Sequence, residues 1–119
     1  MSNPILWKPD DARVQSSAMM AFAGEFGHRL GRVLSDYRTL HQASISHRET
    51  FWSTVWDWCG VIGDKGEAIL AEDAMPGARF FPEARLNFAQ NLLRQADDSD
   101  ALVFRAEDKA IRRMSWRAL

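Results

Sequence analysis

The sequence predicts an α+β chain, mainly α, with a helical region over residues 1–100 and a short β-hairpin over 101–119. Three observations carry this reading. Apolar residues recur at every third or fourth position through much of the first 60 residues, the spacing of one helix face. Between residues 60 and 82, glycine, proline and polar residues break any long period. Ala101–Phe104 and Ile111–Trp116 then read as two strands around a turn through Glu107, Asp108 and Lys109.

The first helix is expected from about Asp10 to His28. Asp10 and Asp11 follow Pro9 and suit a helix start by capping and by the helix dipole. Val14, Ala18, Phe22, Phe26 and Leu30 form its apolar stripe, and Met19 fills the same flank. Gly24, Gly27 and Gly31 weaken its second half by about 1 kcal/mol each, so fraying is expected near Gly27, with a glycine as C-terminal cap. Ser35 and Asp36 can start a second, short helix carrying Tyr37, Leu40 and His41.

Ser46 and Glu49 make the S-x-x-E pattern of a capping box ahead of an apolar run. The next helix holds Phe51, Trp52, Val55, Trp56, Trp58 and Cys59 and ends at Gly60. Its apolar arc is wide, as expected of a helix wedged between two neighbours. Residues 61–66 read as a loop, and Ala68–Ala71 as a short strand. Met75-Pro76-Gly77 is a turn in which glycine takes a positive φ. Phe80-Phe81 is extended and closed by Pro82, and Leu86 to Leu93 mark an amphipathic helix of about ten residues.

Composition excludes several classes. At 119 residues, 46% hydrophobic and 26% charged, the chain is one ordinary globular length and not a disordered one. Fifteen Lys+Arg against sixteen Asp+Glu give a net charge of −1, which provides no pull toward nucleic acid or an anionic membrane. A single cysteine, Cys59, excludes a disulfide scaffold and a cysteine-based metal cage. Met1 to Trp7 lacks the basic and apolar runs of a secretory leader, and no run is long enough to span a membrane. A cytoplasmic setting is expected. Five Trp must be buried or matched to a partner.

Chemistry is sparse. The glycines form neither a Walker-type loop nor G-x-G-x-x-G. His28, His41 and His47 fall on different elements and read as surface or capping residues, while Cys59 reads as buried and inert on the Trp-rich helix. Asp10, Asp11, Asp57, Glu72 and Asp73 read as solvated helix ends and loops, and Arg79, Arg85, Arg112 and Arg113 as strand-face residues or ion-pair members. Residue spacing supports no reaction. No catalytic, cofactor-binding or metal residue is assigned.

Longer words in the sequence are more informative. Leu6-Trp7-Lys8-Pro9, Asp36-Tyr37-Arg38-Thr39-Leu40-His41 and Phe51-Trp52-Ser53-Thr54-Val55-Trp56 resemble the N-terminal part of acetoacetate–CoA ligases, of the adenylate-forming acyl-CoA synthetase superfamily. So do Gly60-Val61 and the densest stretch, Met75-Pro76-Gly77-Ala78-Arg79-Phe80-Phe81-Pro82, continuing from Glu83 to Leu93. Acetyl-CoA synthetases are similar here but tend to carry Trp-Phe and paired glycines before Leu-Asn. Phe80-Phe81 and Pro82-Glu83-Ala84-Arg85-Leu86-Asn87 therefore favour the acetoacetate branch.

The resemblance implies an N-terminal helical domain over 1–100, with 101–119 as a truncated start of the AMP-binding domain. It implies a full enzyme that uses ATP and Mg²⁺ to form an acyl-adenylate, from which coenzyme A displaces AMP. The Ser/Thr/Gly-rich phosphate loop and late lysine of that chemistry do not occur in these residues, so the chain itself is expected to hold no cofactor. The expected role is scaffolding. Trp7, Trp52, Trp56, Phe80 and Phe81 would pack against the remainder of the ligase, and the chain alone would self-associate or stay poorly packed. The competing readings are a stand-alone helical interaction module, a fragment of an acetyl- or propionyl-CoA synthetase, and a helix-turn-helix over residues 35–59. The last is disfavoured by its broad apolar arc and by the charge balance.

Overall fold

The computed structural model describes residues 6–109 and 111–119. Four helices come first: α1 (Asp11–Gln15), α2 (Ala18–Leu30), α3 (Tyr37–Ser46) and α4 (Arg48–Trp58). Short strands and one helical turn come next: β1 (Gly63–Asp64), β2 (Leu70–Glu72), β3 (Arg79–Phe80), β4 (Arg85–Leu86) and α5 (Phe88–Leu92). β5 (Asp100–Arg105) and β6 (Ile111–Ser115) close the order. The strands form three antiparallel pairs, β1 with β4, β2 with β3 and β5 with β6. The class is mixed α+β, as the sequence predicts. Of the stretch read for a secretory leader, residues 1–5 lie outside the described residues.

The chain separates into two compact units. The first comprises residues up to 61 together with 65–83, and the second residues 62–64 together with 84–119.

In the first unit the expected helix from Asp10 to His28 is two helices. Asp10 caps α1 by accepting a bond from the Arg13 N–H at 2.7 Å. The Ser17 hydroxyl donates to the Val14 carbonyl and accepts from the Met20 N–H, which closes one helix and opens the next. A serine side chain that competes for backbone groups in this way is the physical cause of the break. α2 continues past the expected fraying point at Gly27 to Leu30, where Gly31 caps it at φ +66°. Gly27 is instead a packing residue: it is buried, and a Cβ there would stand 2.5 Å from the Arg32 carbonyl oxygen.

α3 begins as expected. The Asp36 carboxylate accepts from the Thr39 N–H while the Thr39 hydroxyl accepts from the Asp36 N–H, a reciprocal box. The box expected at Ser46 and Glu49 does not form. Ser46 is the last residue of α3, so its backbone is helical and cannot adopt the extended cap conformation. His47 alone separates the two helices, and it caps α4 without a side-chain bond.

The core of this unit is Ala23, Phe26, Leu34, Leu40 and Ala43, with Phe22, Leu30 and Phe51 packed against it. α4 has neighbours on both sides. Phe51 meets Phe22 and Phe26 edge-on with centroids 5.7 and 5.4 Å apart, while Trp52 meets Phe80 and Trp56 meets Phe81 at 5.4 and 5.0 Å. The wide apolar arc is thereby explained. Thr54, fully buried, satisfies its hydroxyl on the Thr50 carbonyl at 2.6 Å. Cys59 corrects the sequence reading: it is the C-terminal cap of α4 and is exposed, because the helix ends before the apolar arc reaches it. β2 and β3 pair around the turn at Met75–Gly77, where Gly77 has φ +116°.

In the second unit, β1 lies inside the stretch expected to be loop. Gly63 pairs with Leu86 and Asp64 with Arg85. That pairing removes Leu86 from the helix expected over 86–93. Asn87 then caps α5 by accepting from the Gln90 N–H at 3.1 Å, which leaves five helical residues. The hairpin forms where expected, with Leu102 opposite Met114, Val103 opposite Arg113 and Phe104 opposite Arg112. Trp116 falls outside the strand, and its N–H donates to the Ser99 carbonyl at 3.1 Å.

Candidate functional site

Charged chemistry in the first unit converges on Asp57, near the end of α4. One carboxylate oxygen accepts from Lys65 Nζ at 2.9 Å, and the other accepts from the Arg29 guanidinium at 2.8 Å. Arg29 also donates to Glu25 one helical turn earlier, at 2.9 Å, and Lys65 to the Ser53 hydroxyl at 3.1 Å. The cluster thus joins α2, α4 and residue 65. The Lys65 hydrogen bond, and after it that of Arg29, holds the Asp57 carboxyl below the usual carboxylate range. The bond to Asp57 raises Arg29 in turn. Every group in it is matched by an opposite charge or a hydroxyl. That favours clamping two helices over moving a proton, which needs a group poised near neutrality.

The sequence reading treated Asp57 as solvated and missed this cluster. Arg29 lies 28 residues away, and no local pattern links the two. The remaining charged candidates behave more as expected. Asp10 caps α1, Arg79 pairs with Glu72 at 3.3 Å, Arg48 pairs with Asp73 and Arg113 with Asp100. His28 lies on α2, His41 on α3 and His47 between α3 and α4, all exposed. Tyr37 stacks on His41 with centroids 5.8 Å apart. Among the described residues, no group of three or more His, Cys, Asp or Glu could hold a metal ion. Among them, too, no helix is long and apolar enough to cross a membrane.

Exposed apolar surface is the other feature. A 390 Å³ cleft is lined by Trp7, Val14, Met19, Met20 and Tyr37, with the Arg13 guanidinium 5.9 Å above the Trp7 ring. Trp7 itself is 70% exposed. In the second unit Leu102, Val103, Phe104, Ile111 and Met114 all face solvent.

Residues 37–92 match the family model described as the acetyl-coenzyme A synthetase N-terminus. This span runs from the first residue of α3 to the last of α5 and contains Asp57 and both Trp–Phe contacts. The acetoacetyl-coenzyme A synthetase of Rhizobium meliloti (strain 1021) is 50% identical over 115 residues, which is 96% of this chain and 18% of that protein. The solved structure of acetoacetyl-CoA synthetase from Streptomyces lividans superposes with a TM-score of 0.84 at 30% identity, covering 96% of this chain and 18% of that one. The chain is homologous to the N-terminal part of acetoacetyl-CoA synthetase. A malonamoyl-CoA synthetase of Penicillium aethiopicum is 33% identical across 97% of this chain, again spanning 17% of the relative.

Within this synthetase region, the stretch of densest resemblance has local work to do. Phe80 and Phe81 receive Trp52 and Trp56. The Glu83 carboxylate accepts from the Glu67 N–H at 3.1 Å, and Asn87 caps α5. Asn91 clasps Ile62 through both its N–H and its carbonyl, each at 2.8 Å. These bonds satisfy backbone groups that short strands leave open.

Proposed function

We propose that this chain forms the N-terminal scaffolding part of an ATP-dependent acetoacetate–CoA ligase. The 50% identity to the Rhizobium meliloti enzyme along 96% of the chain carries the reading. In that enzyme class the carboxylate is activated as an acyl-adenylate and passed to coenzyme A, so ATP, Mg²⁺ and coenzyme A belong to the whole ligase. The residues of this chain contribute packing: the Asp57 cluster and the paired Trp–Phe contacts hold α4 in place. The remainder of a synthetase polypeptide is the partner, and the exposed Trp7 and the half-exposed Trp52 and Phe80 are surface for it to cover. A chain without that cover self-associates through the same surface. A cytoplasmic setting belongs to this reading.

The test is acetoacetate-dependent ATP–pyrophosphate exchange. The 119-residue chain alone gives none, and the product of the whole reading frame that encodes it does. Exchange by the chain alone overturns the scaffolding role. Exchange by the whole product with acetate but not acetoacetate moves the assignment to an acetyl-CoA synthetase.

A further inference from the structure

We draw no further inference here: the strongest candidate, the 450 Å³ apolar groove between α2 and α3 lined by Met19, Phe22, Tyr37, Leu40 and Phe51, is an unpartnered face, and nothing in the structure shows what covers it.

Discussion

Arg29 and Asp57 meet at 2.8 Å and join α2 to α4 across the helix that lies between them in sequence. Their side chains are 31% and 39% exposed, so solvent screens much of the attraction. Asp57→Asn should cost about 1 kcal/mol in urea unfolding, since it weakens the Lys65 contact as well. A double-mutant cycle with Arg29→Met should return a coupling of about 0.5 kcal/mol. Zero coupling would show that the pair only decorates the helix contact.

Acid should destabilise the chain at a definable point. Hydrogen bonds hold three carboxylates below their ordinary range: Asp57 through Lys65 and then Arg29, Asp36 through the Thr39 N–H, and Asp97 through the Ser99 hydroxyl. A lowered folded-state value contributes stability that is complete above the unfolded carboxylate pKa of about 3.9, and that is lost as pH falls through the folded value. The urea midpoint is expected to be flat from about pH 7 to 5 and to drop below about pH 4. A midpoint unchanged at about pH 3 would contradict these assignments.

Two glycines of α2 should respond to alanine with opposite signs. Gly24 has nothing within 4 Å of an added Cβ, so Gly24→Ala should gain about 0.5–1 kcal/mol from helix propensity and reduced unfolded-state freedom. At Gly27 the same methyl would stand 2.5 Å from a backbone oxygen. Gly27→Ala should lose more than the propensity gain returns, about 1–3 kcal/mol net. Thermal melts of the two variants, expected to move in opposite directions, are the measurement.

Serine caps offer a sharper contrast. Ser17 satisfies the Met20 N–H, so Ser17→Ala should cost about 1 kcal/mol. Among the described residues Ser46 caps no helix, and its hydroxyl accepts a 3.3 Å bond from the Gln42 side chain. Ser46→Ala is expected to stay within about 0.5 kcal/mol of the parent chain. Equal losses at both serines would restore the capping box that the structure lacks.

What the sequence made legible was decided by range. The Asp36 start, the Trp-rich helix and the β5–β6 hairpin depend on contacts between near neighbours, and spacing revealed all three. Ser46 misled because its local pattern is a sound cap signal, but the preceding helix had already taken its backbone. Leu86 was read into a helix because its strand partner, Gly63, is 23 positions earlier. The Asp57 cluster was invisible for the same reason, as its two cations come from α2 and from the loop beyond α4. Cys59 was placed on the buried arc by period alone, one residue past the point where the helix stops.

The single-residue joint at His47 has an evolutionary side. Each residue added to a helix rotates the rest of that helix by about 100°. With only His47 between α3 and α4, an insertion or deletion from Tyr37 to Trp56 would swing Trp52, Trp56 or both away from Phe80 and Phe81. Length variation among natural homologues should accordingly be absent from that span and gather in the exposed turn around Met75–Gly77, where an extra residue disturbs no packed side chain.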